Sequence, residues 1–188
     1  LFPYTTLFRS ANGPAVPTLE NPAKTLALSC AESLPMVWGT GMIGATAASR
    51  FMAQLAENSK IPAAHGELPE VGHNQIVTFD GVLAGAAPAK DIFRDRQDDV
   101  IDRRTHVYIL RDTNEHPAVE KRIGIVGQIA SDRDVPVTLI QAQGNHAISR
   151  LASLVIPTDW ASVYAGLALG IDPSEISTIV QLKAGLSS

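Results

Sequence analysis

Glu57 and His73 are the two residues of this sequence whose types and spacing best suit chemistry. They lie sixteen residues apart, in polar stretches interrupted by proline and glycine, where functional sites tend to occur. A carboxylate that removes a proton and an imidazole that donates or accepts one form the pair that an isomerisation by proton transfer needs. For each residue a structural interpretation stays open: an exposed glutamate at a helix end, and a histidine that caps a short turn or lies buried.

A second candidate site is the glycine-containing turn from Gly39 through Thr40 and Gly41 to Gly44. It follows a predicted strand and precedes a predicted helix, as in dinucleotide-binding proteins. Those proteins also need a second strand that ends in an acidic residue about 20 residues later, where this sequence has a helix end and Pro62. We therefore expect no nicotinamide or flavin cofactor, and a turn whose N–H groups face an anion or a sugar hydroxyl.

Other reactive side chains give weaker signals. Arg50 lies two helical turns before Glu57 on the same predicted face, and could pair with that carboxylate, hold a phosphate or lie on the surface. The histidines show no metal-ligand spacing, so we expect no metal. Cys30, the single cysteine, lies in an apolar stretch, which favours a core position over a nucleophile, excludes an intrachain disulfide and fits a reducing compartment.

The composition is that of one folded domain, with 45% hydrophobic and 18% charged residues in 188. A net charge of −4 and the lack of a basic run with aromatics argue against a nucleic-acid partner. The uncharged stretch between Glu32 and Arg50 contains Pro35 and three glycines and is too short to span a membrane comfortably. We therefore expect a cytoplasmic protein without membrane contact. The highly charged stretch 90–104 indicates a solvated surface, with a binding arm as the alternative.

The hydrophobic pattern indicates which elements position these residues. It predicts strands at 34–38, 105–110 and 135–141, and helices at 23–33, 42–58, 115–129, 145–169 and 174–186, the fourth broken or kinked near Pro157 and the last capped by Ser174. Residues 64–75 are predicted to form a loop that carries the site. Strands that alternate with helices favour an α/β fold with a parallel sheet, and weak strands are expected to be missed.

The first 20 residues are expected to lie outside the domain, which we place at residues 21–188. Leu1–Ser10 back-translates codon by codon into a common sequencing adapter, and no methionine begins the chain. Residues 11–20 contain proline and glycine and indicate a tail or linker. If the adapter interpretation holds, the chain lacks its true N-terminal part.

Two motifs carry a resemblance to a known family. Residues 56–63 contain E-N-x-K-x-P-A, and residues 73–76 contain H-N-x-I. Both resemble motifs of the bifunctional phosphoglucose/phosphomannose isomerase family. Four segments near the end of the chain resemble the family's closing helices: Leu151–Val155, Asp159–Tyr164, Gly170–Pro173 and Leu182–Lys183. Gln75 departs from the family, which often has an acid at this position.

The resemblance implies two sugar-isomerase (SIS) subdomains, each a flavodoxin-like three-layer α/β sandwich with a parallel sheet, of which this chain would be the second. It implies that His73 assists ring opening of a hexose 6-phosphate, that Glu57 moves a proton between C1 and C2, and that Lys183 contacts the phosphate or the ring. It also implies a homodimer. The family's Ser/Thr-rich phosphate loop, which belongs to the first subdomain, has no match here.

Two alternatives stay open. A SIS module without activity could bind a phosphosugar and regulate a partner; the presence of both Glu57 and His73 argues against it. Another SIS isomerase, such as a hexulose-phosphate isomerase, would differ mainly in its substrate.

Overall fold

Four parallel strands form one sheet in the computed structural model, which describes residues 3–85 and 103–186. The strands are β1 (Ser33–Thr40), β2 (Ala64–Leu68), β3 (Arg104–Arg111) and β4 (Val137–Gln141), in the order β2-β1-β3-β4. This order is that of a flavodoxin-like sheet. The predicted α/β fold with a parallel sheet is confirmed.

The described helices alternate with the strands along most of the chain. They are α1 (Pro3–Ala11), α2 (Pro22–Ala31), α3 (Gly41–Gln54), α4 (Pro117–Ser131), α5 (Ala147–Ala168) and α6 (Ser177–Gly185). A π-helical turn, Leu55–Ser59, follows α3, and short 3-10 helices cover Thr18–Glu20, Glu70–His73 and Gln75–Asp80. Asn21 caps α2, since its side chain accepts a hydrogen bond from the Lys24 N–H at 3.1 Å.

The three layers follow from the alternation of side chains along the central strands. Val37 and Tyr108 face a cluster formed with α2, α3 and α5, whereas Trp38 and Ile109 face a second cluster formed with α4 and the 3-10 helices. Cys30 lies in the first cluster, where burial raises the pKa of its thiol to about 12. The core position predicted for Cys30 is confirmed.

β2 corrects the prediction that residues 64–75 form a loop. This edge strand runs beside β1, with Met36 paired to Ala64 and Thr40 to Leu68. Only Leu68 of its five residues is buried, so the sequence lacks the apolar alternation by which strands are detected. The 3-10 helix Glu70–His73 then follows the carboxyl end of the strand.

Two details of the closing helices also differ from expectation. α5 continues through Pro157 without a break, and Thr158 Oγ1 donates to the carbonyl oxygens of Leu154 and Val155 beside it. The last helix begins at Ser177, not at Ser174. Ser174 instead donates its N–H and hydroxyl to Asp172 Oδ1, which forms a turn before the helix.

The N-terminal segment packs on the domain. α1 lies against α5 and buries Phe8. Asn12 Oδ1 accepts from the Ala23 N–H at 3.1 Å, and the Tyr164 hydroxyl donates to the Asn12 carbonyl at 2.7 Å. The packing of α1 on the domain does not show where these residues come from, so the adapter interpretation of residues 1–10 stays a prediction. The charged stretch 90–104 lies almost wholly outside the described residues.

Candidate functional site

Glu57 lies in the π-helical turn at the amino edge of the sheet, where the strands begin. The turn ends at Lys60, whose φ of 56° is left-handed, and the Ile61 N–H donates to the Leu55 carbonyl at 3.2 Å. The neighbours of Glu57 hold the turn in place: Asn58 donates to Ser162 Oγ on α5 at 2.8 Å. The Glu57 side chain itself is exposed. Such π-helical turns often occur at functional sites.

Lys60 ties this turn to the start of α6. Its Nζ donates to the Glu57 carbonyl at 2.6 Å and to the Glu175 carbonyl at 2.8 Å. A cleft of about 450 Å³ lies between the two segments, lined by Glu57, Lys60, Pro62 and the residues from Glu175 to Ile179. The lysine and the proline of the E-N-x-K-x-P-A motif therefore shape the cleft into which Glu57 is placed.

Lys183 lies on α6, the helix whose first residues line the same cleft. Glu57 and the beginning of the helix that carries Lys183 therefore share one cleft. None of the α6 residues is buried, and its large apolar side chains are exposed: Ile179, Val180 and Leu182, with Ile176 and Leu186 at its ends. Just before the helix, the Glu175 carbonyl accepts a hydrogen bond from Lys60, which links this segment to the turn that carries Glu57.

Arg50 lies on α3 and forms an ion pair with Asp159 of α5. Its Nε and Nη2 each donate to the carboxylate at 2.9 Å, with side chains 48% and 31% exposed. The hydrogen bond to Asp159 raises the pKa of the guanidinium, with a smaller contribution from Glu57. Of the alternatives predicted for Arg50, the structure shows an exposed ion pair, but its partner is Asp159 and not Glu57.

His73 lies at the end of the 3-10 helix that follows β2, and it is exposed. Glu57 precedes β2 and His73 follows it, and a strand of five residues spans about 13 Å. One copy of the chain therefore does not bring Glu57 and His73 together. Gln75, the departure from the family motif, accepts from Trp38 Nε1 at 2.8 Å and donates to the His65 carbonyl at 2.9 Å.

The glycine turn lies at the opposite edge, where β1 ends. A Cβ on Gly39 would stand 2.3 Å from the Gly44 carbonyl oxygen, and Gly41 has a φ of +55°. A Cβ on Gly44 would stand 2.4 Å from the Leu110 carbonyl oxygen. These three glycines therefore allow close packing of strand and helix and a left-handed turn. The turn leads directly into α3, which begins at Gly41.

Thr40 connects this turn to the end of β3. Its buried hydroxyl accepts from the Asp112 N–H at 3.1 Å and donates to Glu115 Oε1. It does not cap α3, although Thr40 occupies the capping position. The Thr40 hydroxyl is thus bound within the protein.

Two ion pairs complete the carboxyl edge. Arg111 Nη2 donates to Glu115 Oε2 at 2.6 Å, and Arg150 Nε donates to Asp112 Oδ1 at 2.6 Å. These four side chains are only 7–18% exposed. The hydrogen bond to Glu115 raises the pKa of Arg111. A cleft of about 280 Å³ lies outside, lined by Arg111, Asp112 and Glu115 among others.

Sequence reasoning missed this network. One signal was present: Asp112 and Glu115 follow a strongly apolar strand directly, and polar residues in that position meet at the carboxyl edge of a parallel sheet. The partners Thr40 and Arg150 are far away in the sequence, so only the strand order brings them together.

Within residues 3–85 and 103–186, no group of three or more His, Cys, Asp or Glu side chains is placed to hold a metal ion. In the same ranges, no helix has both the length and the apolar character needed to cross a membrane.

Two curated proteins are similar to most of this chain. A bifunctional phosphoglucose/phosphomannose isomerase from Aquifex aeolicus is 29% identical over 170 residues, which cover 90% of this chain and 47% of that protein. The enzyme of the same name from Caldicellulosiruptor bescii is also 29% identical, over 93% of this chain and 47% of its own length. The chain thus spans about half the length of the curated relatives it matches.

A solved structure of a glucose-6-phosphate isomerase like protein from Thermus thermophilus shares the fold, with a TM-score of 0.60 and 20% identity. The match covers 89% of this chain and 48% of that one. The family model described as the bacterial phospho-glucose isomerase C-terminal SIS domain matches residues 19–186. The chain therefore belongs to the bacterial phosphoglucose isomerase C-terminal SIS domain family.

Proposed function

We propose that the full-length protein interconverts glucose 6-phosphate or mannose 6-phosphate with fructose 6-phosphate through a cis-enediol. The observation that carries this proposal is the exposed Glu57 carboxylate, fixed by the E-N-x-K-x-P-A turn in a cleft shared with the helix that carries Lys183. The names of the relatives, bifunctional phosphoglucose/phosphomannose isomerases, support this reaction.

Glu57 would act as the base that moves the proton between C1 and C2. Its backbone is held by Lys60 and by the Asn58–Ser162 hydrogen bond, while its carboxylate stays open to the cleft. A base with a fixed backbone and a free carboxylate can approach both carbons in turn. Lys183 would contact the phosphate or the opening ring.

His73 would assist ring opening in the site of a second copy. It lies beyond the opposite end of β2 from Glu57, so one copy alone offers an incomplete pair. An exposed histidine after the strand is free to enter a neighbouring site. This separation supports a homodimer in which each cleft is completed by His73 of the partner subunit.

Phosphate binding would depend chiefly on the half of the relatives that this chain does not cover. A phosphate dianion needs several convergent donors. Substrate contact at Arg50 and at Gly39, Thr40 and Gly41 stays a prediction, as do the absence of a cofactor and a cytoplasmic location. We expect the 188-residue chain alone to show no isomerase activity and little binding. Titration calorimetry with fructose 6-phosphate checks this, and micromolar binding would contradict it.

Glu57→Gln in the full-length protein tests the proposal. It removes the base but keeps the size of the side chain, so kcat should fall by about 10²–10⁴-fold while binding of fructose 6-phosphate changes little. The matched control is Glu32→Gln, since Glu32 is also an exposed glutamate at the end of a helix. Turnover like that of the wild type in Glu57→Gln would exclude Glu57 as the base.

A non-catalytic SIS module that binds a phosphosugar and regulates a partner is the second candidate. The separation of Glu57 from His73 within one copy is the observation that favours it. A full-length protein that binds fructose 6-phosphate but shows no isomerisation with either epimer would establish this alternative.

A further inference from the structure

The crevice at the carboxyl ends of β1 and β3 lies at the point where the strand order reverses. β2 lies on one side of β1 and β3 on the other, and in open α/β sheets ligands bind at such a point, beside the strand ends. Thr40 ends β1, and Arg111 and Asp112 stand at the end of β3. This position would therefore be expected to hold a ligand.

The donors at this point converge on a carboxylate of the chain itself. Thr40 Oγ1 donates to one oxygen of Glu115, and Arg111 donates to the other through Nε at 3.2 Å and Nη2 at 2.6 Å. The Glu115 side chain is only 7% exposed. A hydroxyl and a guanidinium fork are the donors that proteins use for carboxylate and phosphate.

Asp112, Arg150 and Glu120 are further charged side chains near this contact. Asp112 is held by Arg150 at 2.6 Å and by the Thr113 N–H at 2.8 Å. Glu120 also lines the cleft. Removal of Glu115 would leave Arg111 without its carboxylate, while Asp112 would keep its own partners.

We propose that this crevice is an oxyanion site that the chain fills with its own Glu115 carboxylate. With Glu115 shortened, the Thr40 hydroxyl and the Arg111 guanidinium lose the carboxylate to which both donate. Arg111 and Glu115 line a cleft of about 280 Å³, and through it the site accepts an inorganic oxyanion such as phosphate. In the native chain Glu115 excludes such a ligand. This inference goes beyond the isomerase proposal and does not depend on it.

The test compares the thermal unfolding of the 188-residue chain in phosphate and in chloride at equal ionic strength. Glu115→Ala should unfold at a lower temperature than the wild type in chloride. At about 10 mM phosphate its midpoint should rise by about 3 °C or more beyond any rise in the wild type, as expected for a ligand well above its Kd. If Glu115→Ala folds only in phosphate, that result supports the proposal equally.

Two further variants separate a site from a general salt effect, since phosphate also stabilises proteins by exclusion from their surface. Glu120→Ala removes one negative charge from the same cleft but leaves Glu115 in place, so it should respond like the wild type. Glu115→Ala combined with Arg111→Gln should lose the extra response. Equal responses of Glu115→Ala and the wild type, or an extra response that survives Arg111→Gln, would overturn the proposal, as would a Glu115→Ala chain that phosphate cannot fold.

Discussion

The two edges of the sheet handle their charged side chains in opposite ways. At the carboxyl edge, Arg111, Glu115, Asp112 and Arg150 form two ion pairs with side chains no more than 18% exposed. At the amino edge, Glu57 is exposed, and α6 has no buried residue. Ligands of open α/β sheets commonly bind at the carboxyl edge. In this chain the side chains at that edge are paired with each other, and the exposed Glu57 carboxylate lies at the other edge.

The ion pairs of the two regions should differ most in their contribution to stability. Arg150→Met should lower the free energy of unfolding by about 3 kcal/mol, because it leaves the nearly buried Asp112 carboxylate without its charged partner. Arg50→Met should cost less than about 1 kcal/mol, because the Arg50–Asp159 pair is 48% and 31% exposed. Urea unfolding of the two variants measures the difference. Equal losses would show that the two regions do not differ in this way.

Two glycine-to-alanine substitutions test how tightly the backbone is packed around the turn that carries Glu57, although the Glu57 side chain is exposed. A Cβ on Gly166 of α5 would stand 2.6 Å from the Asn58 carbonyl oxygen, in the turn that carries Glu57. Gly166→Ala should therefore destabilise the chain by about 1–3 kcal/mol. Gly124→Ala on α4 meets nothing within 4 Å and should instead stabilise it by about 0.5–1 kcal/mol. Unfolding midpoints that shift in the same direction in both variants would contradict this contrast.

His106, in the amino half of β3, gives the stability of the chain a dependence on pH. Burial lowers its pKa to about 4, while its ring stacks on Tyr108 and Nε2 is 2.8 Å from Thr138 Oγ1. The unfolded chain takes up this proton near pH 6.5 and the folded chain near pH 4. The contribution of His106 to stability is therefore constant above pH 6.5 and falls as the pH drops towards 4.

Unfolding free energies of the wild type and His106→Gln at several pH values between about 7 and 4 isolate this contribution, since other acid-sensitive groups act on both. Their difference should change by about 1 kcal/mol, less than the full shift implies because the ring is partly solvated. A difference independent of pH would exclude His106 as the titrating group.

The smallest effect on stability is expected from α6. Deletion of residues 174–188 should lower the free energy of unfolding by less than about 1 kcal/mol, because none of the residues in α6 is buried. In the full-length protein the same deletion should abolish isomerisation, since it removes Lys183. Thermal unfolding and an isomerase assay check the two parts. A large loss of stability would mean that α6 belongs to the folded core.

Sequence reasoning located the elements with strong apolar patterns and missed those defined by partners far along the chain. β1, β3 and α4 were predictable because their apolar residues repeat with the period of a strand or a helix. β2 was missed because an exposed edge strand has no such period. Glu57 and Lys183 were predicted from motif resemblance; the structure places Glu57 in a cleft that the first residues of α6 also line, and the role of Lys183 stays a prediction. The Thr40–Glu115 contact joins residues 75 positions apart, so no local pattern could indicate it.

α5 makes the two edges mechanically dependent on each other. This one helix holds Asp112 through Arg150 near its start and the Glu57 turn through Ser162, about 18 Å farther along its axis. A helix of 22 residues transmits a tilt or a slide of one end to the other with little loss. The Asp112–Arg150 ion pair at the carboxyl edge therefore helps to fix the position of α5, and through Ser162 the position of the turn that carries the proposed base.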